Sequence, residues 1–155
     1  MDLKSFSDDF YKKICLGRLE PVLDSIRLMR KLGIWVEITT LIVPGQNDSE
    51  EEFKNIAEFI AGVGPEIPWH VSRFHPDYKY LDLKPTSVEI LKKARDMGEK
   101  AGLYYIYLGN VIEGNNTYCY KCQNILVERK AFEVTKYNIK ESKCPKCGTQ
   151  INGRF

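Results

Sequence analysis

The chain has 155 residues, 43% of them hydrophobic and 28% charged, which describes a globular protein with room for one domain or a modest domain plus a small appendage. Its net charge of +2 is too small for the dense basic patch that nucleic acid or an anionic membrane demands. No apolar run approaches the ~18–20 residues that span a bilayer, and no secretory leader opens the chain, so a cytoplasmic protein without membrane or nucleic-acid partners is expected.

Met1-Asp2-Leu3-Lys4 reads as the end of a strand, followed by a helix from Ser7. Leu19, Val22, Leu23, Ile26 and Met29 recur with a helical period, predicting a helix over 19–32 that Gly33 stops. Residues 34–43 are β-branched and almost continuously apolar, the pattern of a strand covered on both faces. Pro44-Gly45-Gln46-Asn47-Asp48 makes a turn-rich loop. Ser49 with Glu52 three positions on is a capping box. The helix it opens carries Phe53, Ile56, Ala57, Phe59 and Ile60 and ends near Gly62 and Gly64.

The cycle then repeats. Residues 69–75 read as a strand, Thr86 with Glu89 as a second capping box, the helix after it runs to Gly102, and residues 104–108 read as a further strand. Strands starting near 35, 69 and 104 are spaced by about 34 residues, as βα units are. With the opening stub this gives about four parallel strands. Four do not close a barrel, so the pattern leaves a small open sheet or the later part of a larger barrel. The abrupt start on a strand end favours the fragment, whose open sheet edge would invite self-association.

Four of the five cysteines form two Cys-x-x-Cys pairs, Cys119 with Cys122 and Cys144 with Cys147, separated by 21 residues. Two such turns can bring four thiolates tetrahedrally around one ion, and Gly148 relieves the tight backbone after the second. Between them Ile125, Leu126, Val127, Phe132, Val134, Tyr137 and Ile139 suffice for short hairpin strands but little core, so a tail of roughly 40 residues needs a metal as staple. Zinc is the expected occupant and iron in a rubredoxin-like site its competitor. Cys15, alone on a helical pattern, reads as a structural thiol.

Asp2-Leu3-Lys4, then residues 43–48, then Trp69-His70-Val71-Ser72-Arg73-Phe74-His75-Pro76 together resemble the second half of a radical S-adenosylmethionine enzyme of the pyruvate formate-lyase-activating type. The stretch from His70 to Tyr78 with a terminal cysteine ribbon is similar to the radical enzymes of the "AmmeMemoRadiSam system". The resemblance implies an α/β fold, the C-terminal half of a partial (βα)6 TIM-type barrel over 1–114, followed by a four-cysteine zinc-ribbon domain over 115–155. It implies an oxidoreductase that uses S-adenosylmethionine and a [4Fe–4S] cluster to make a 5′-deoxyadenosyl radical for hydrogen abstraction from a substrate it does not identify.

By the same resemblance Asp2 and Lys4 match the strand end that meets the methionyl group, and His75 matches a histidine near the nucleoside. Thr39 stands where the activating enzymes carry an arginine. Arg73, placed by strand alternation on the His75 face, is the expected partial replacement. The Cys-x-x-x-Cys-x-x-Cys loop that binds the cluster is not in this chain. The implied partner is therefore the N-terminal barrel half, and the chain is not competent alone. Two other readings stay open: a free-standing zinc-ribbon interaction module, and a rubredoxin-like electron carrier.

Overall fold

In the computed structural model, which describes residues 1–112, 114–130 and 133–154, the chain builds two sheets. The first is parallel, with strands β1 (Ile38–Ile42), β2 (Trp69–Arg73) and β3 (Ile106–Gly109) side by side in chain order. The second is antiparallel, in the order β4 (Thr117–Tyr118), β5 (Ile125–Lys130) and β6 (Glu133–Tyr137). Phe132, expected among the apolar residues of the tail, lies outside the described residues.

The expected fourth parallel strand is reduced to a single bridge. Asp2 pairs with Thr39, the Leu3 amide donates to the Thr39 carbonyl at 3.0 Å, and the Thr39 amide donates to the Met1 carbonyl at 2.8 Å. The chain then turns through a short helix, α1 (Asp8–Phe10), which widens into a π-helical turn over Tyr11–Cys15 and stops at Leu16 in the left-handed conformation.

Helix α2 (Leu19–Lys31) turns Leu19, Leu23 and Ile26 inward, as its period predicts. Arg18, the residue before it, offers no acceptor, and Asp8 substitutes by taking the Leu19 amide at 3.1 Å. In α3 (Glu50–Val63) the Ser49 hydroxyl accepts the Glu52 amide. The reciprocal half of that box is missing, because the Glu52 carboxylate accepts from the Phe6 amide and anchors the N-terminal segment instead.

The second predicted box moves by one residue. Ser87 caps α4 (Val88–Lys100) through the Ile90 amide, while Thr86 is fully buried between strand ends. The Thr86 hydroxyl donates to the Ile42 carbonyl at 2.5 Å and accepts the Phe74 amide at 3.1 Å, so it joins β1 to the end of β2 and is not free to cap.

All three strands present one face to the helices. Ile38, Ile42, Trp69, Val71 and Leu108 enter one core with Leu23, Ile26, Phe53, Ile56, Ile60 and Leu91. The opposite face, carrying Thr39, Leu41, His70, Ser72, Tyr107 and Gly109, is only half-buried. The expectation that 34–43 is covered on both faces is thus corrected. The strand itself shortens to five residues, because the neighbouring strand begins only at Trp69. No helix among the described residues is long and apolar enough to cross a membrane.

The antiparallel sheet has its own core of Cys119, Leu126, Val127, Cys144 and Ile151, and Tyr105 from the parallel-sheet side belongs to it. Around β3, alternation therefore divides the residues: Ile106 and Leu108 face the helices, Tyr105 and Tyr107 face the ribbon.

Candidate metal centre and open sheet face

Each cysteine pair sits on a tight turn whose backbone closes on its first cysteine. The Gln123 amide donates to the Cys119 carbonyl at 2.8 Å, and the Gly148 amide to the Cys144 carbonyl at 2.9 Å. Gln123 and Gly148 occupy equivalent places, directly after the second cysteine, and both have left-handed backbones, with φ of 57° and 71°. Glycine meets that demand freely; glutamine meets it under strain.

The four sulfurs all lie within 4.8 Å of one another. Cys119 and Cys147 approach to 3.6 Å, and Cys122 and Cys144 to 3.7 Å. These separations exceed the ~2.05 Å of a disulfide. They match the edge of about 3.8 Å that a tetrahedron with Zn–S bonds of ~2.3 Å requires. All five cysteines are free thiols.

Charge is distributed unevenly over the cluster. The Thr149 hydroxyl, then its amide, bring Cys147 down to about 6. At Cys122 the Asn124 amide pulls downward, but burial and the three neighbouring sulfurs outweigh it and push the thiol up to about 12. Four thiolates cannot share this volume unless a cation compensates them. The donor set and spacing therefore fit one thiophilic ion, zinc or iron.

Of the second group of candidate residues, Asp2 and Thr39 are side by side at the open face of the parallel sheet. Lys4 Nζ is 3.5 Å from the Asp2 carboxylate, both side chains solvent-exposed. Asn47 explains how this corner is fixed. Almost wholly buried in the loop after β1, it donates to the Lys4 and Leu41 carbonyls at 2.6 and 2.9 Å and accepts the Val43 amide at 2.7 Å.

His75 lies exposed, two residues beyond the end of β2. Arg73 does not join the Thr39 face. It pairs in register with buried Ile42, two strand positions from Val71, and its Nε donates to the Thr86 carbonyl at 2.7 Å. Strand pairing ends at Arg73, so the pleat expected to align Arg73 with His75 does not continue through His75, and the Arg73 guanidinium is engaged by Thr86.

A polar chain runs across the same face. His70 Nε2 lies 2.8 Å from Glu37 Oε2, the His70 ring stacks on Tyr107 with centroids 5.2 Å apart, and the Arg129 guanidinium lies 5.6 Å from the Tyr107 centroid. Partial burial pushes the Glu37 carboxyl up, but the Trp35 and His70 donors outweigh it and the net direction is down. Arg129 also donates to the Asn115 carbonyl and the Thr117 hydroxyl, and the Tyr107 hydroxyl is 3.0 Å from that of Thr117. The signal available in the sequence was the two-residue step from Glu37 to Thr39, which puts both on one strand face.

No family model matches the chain. It is 45% identical over 157 residues to an uncharacterized protein of Methanocaldococcus jannaschii, an alignment covering 98% of this chain and 47% of that protein. The chain thus spans about half the length of the curated relative it matches. In fold it is similar to the crystal structure of a domain of pyruvate-formate lyase-activating enzyme from Bacteroides vulgatus. The TM-score is 0.61 and the identity 23%, over 70% of this chain and 65% of that one.

Proposed function

We propose that the chain is the later part of a radical S-adenosylmethionine enzyme of the pyruvate formate-lyase-activating kind, ending in a four-cysteine ribbon that holds zinc. Residues 1–114 would be the C-terminal half of a partial barrel, and the strands that complete it would come from a further stretch of polypeptide. The observation that carries this reading is the order of the parallel sheet: stub, β1, β2, β3, neighbours in chain order, with helices on one face. A doubly wound sheet reverses its order and covers both faces with helices, whereas a barrel wall adds strands in sequence and keeps its inner face free of helices. The fold likeness to the activating-enzyme domain points the same way.

The residues present fit the amino-acid end of S-adenosylmethionine. Its zwitterion needs one carboxylate and one ammonium, which Asp2 and Lys4 offer on the open face beside Thr39. Asn47 holds that corner by its three backbone contacts, and His75 is exposed past β2 for the nucleoside end. When bound and reductively cleaved, this cosubstrate supplies the radical that abstracts hydrogen. The iron–sulfur cluster is a different matter. Outside the ribbon the chain's one thiol is Cys15, so no cluster and no step through one are assigned to these residues.

Co-expression of the chain with the remaining part of the Methanocaldococcus jannaschii relative tests the reading. The two polypeptides are expected to co-purify and bind S-adenosylmethionine in equilibrium dialysis, with Asp2→Ala and Lys4→Ala each weakening binding at least tenfold. Failure to associate and to bind would overturn the assignment. Elemental analysis of the chain purified under reducing conditions is expected to give one zinc, lost in Cys122→Ser.

A further inference from the structure

We propose that the metal centre is shared between the two sheets: Tyr104 and Tyr105, which precede β3, act as positioning residues for the Cys119–Cys122 knuckle, so that metal binding and docking of the ribbon on the parallel sheet are one coupled event. The proposal rests on the metal-binding reading of the four cysteines and adds to it residues outside the tail.

Three observations carry it. Tyr120, between the two cysteines of the first knuckle, stacks on Tyr104 with centroids 4.0 Å apart and planes 7° from parallel. Tyr105 meets the same ring edge-on at 6.4 Å. Tyr105 is also 4% exposed inside the ribbon core, packed with the two buried ligands Cys119 and Cys144. Its hydroxyl accepts the Asn152 amide at 3.4 Å, and the Tyr120 hydroxyl donates to the Gln150 carbonyl at 3.4 Å, so both tyrosines reach the segment that follows the second knuckle.

The physical consequence follows from the size of that core. Apart from its two cysteines its buried members are Leu126, Val127, Ile151 and Tyr105, with Tyr107, Tyr120, Cys122 and Ile139 partly buried against them, a small core in which Tyr105 is the largest buried side chain. The free energy of metal binding to such a site is in large part the free energy of ordering it. A residue that preorders the knuckle therefore raises metal affinity without touching the ion. By reciprocity the bound ion must stabilise the backbone that carries Tyr104 and Tyr105 to the same degree. That backbone is joined to the sheet: the Tyr104 amide donates to the Pro65 carbonyl at 2.8 Å, and the Tyr105 carbonyl accepts the Trp69 amide at 2.9 Å.

The test uses the full chain, with zinc as the probe in competition against a chromophoric chelator under reducing conditions. Tyr105→Ala is expected to weaken zinc binding at least tenfold and Tyr104→Ala about threefold to tenfold. Tyr105→Phe, which keeps the ring, should restore affinity to near the parent value, and Leu81→Ala, exposed and on another loop, should leave it unchanged. Should Tyr105→Ala not fold, Tyr104→Ala and hydrogen exchange on the parent chain decide. Chelation is expected to speed exchange of the Tyr104 and Trp69 amides at least tenfold while sparing the core amides of α3. Zinc affinities of both alanine variants within twofold of the parent, or unchanged exchange at Tyr104 and Trp69, would overturn the coupling alone. A parent chain that takes up no zinc would overturn the metal reading with it.

Discussion

The Trp69 indole N–H donates to the Thr40 hydroxyl at 2.9 Å in the middle of the parallel sheet, where neither side chain is exposed. The hydroxyl passes its own proton on to the Leu3 carbonyl at 2.7 Å. One threonine thus links β2, β1 and the N-terminal stub through groups that water cannot reach. Thr40→Val keeps the shape and removes both functions, leaving a buried donor and a buried acceptor unpaired. A loss of about 1–3 kcal/mol in urea unfolding is expected, with Thr40→Ser retaining most of it.

Gly98 lies inside α4, where alanine ordinarily gains about 1 kcal/mol. Here a Cβ would come within 2.6 Å of the Ile106 side chain and 3.1 Å of the Trp69 ring. The tryptophan is fully buried and cannot retreat. Overpacking is expected to outweigh propensity, so Gly98→Ala should lower stability by ~1 kcal/mol, measured as a fall in the unfolding midpoint.

The two knuckles differ in the residue that follows the second cysteine, Gln123 in one and Gly148 in the other, and the difference is measurable. Nothing lies within 4 Å of a Cβ built on Gly148, so the cost of Gly148→Ala is the backbone conformation alone, about 1 kcal/mol. Gln123→Gly removes the same strain from the first knuckle and should raise the melting temperature of the metal-loaded chain. A lower melting temperature for Gln123→Gly would contradict the equivalence of the two turns.

Asp8 receives Lys12, the Leu19 amide and Arg18, which lower its carboxyl from 3.8 to about 2. Lys12 contributes most and the amide next. A depressed carboxylate stabilises the fold above its ordinary value and loses that contribution as pH falls through the folded one. Asp8→Asn should therefore be less stable than the parent at neutral pH, and the gap between them should close between about pH 4 and pH 2. A gap that stays constant over that window would show that charge is not what Asp8 contributes.

Much of this architecture was legible in local pattern. Helix α2 follows its apolar period, α3 its Ser49 cap, and the knuckles their cysteine spacing. Departures arise wherever a side chain is engaged over a long sequence distance. Thr86 looks like a cap until Ile42 and Phe74 claim its hydroxyl, which leaves Ser87 to do the capping. Glu52 completes a box on paper but serves Phe6. Arg73 follows the strand pleat and ends on Thr86. Tyr104 and Tyr105 read as strand residues because the ribbon that covers them starts more than ten residues later and folds back.

Strand β6 has a role out of proportion to its packing. Every one of its five side chains is exposed, so it is kept in place by its backbone pairing with β5. By lying there it occupies the hydrogen-bonding edge of the strand that carries buried Leu126 and Val127. What it turns outward in turn includes Glu133 and Lys136, charges that discourage a foreign strand from adding on. The inner strand of the ribbon is thereby shielded by one whose side chains contribute nothing to the core, and whose outer surface mixes those charges with exposed Val134 and Tyr137.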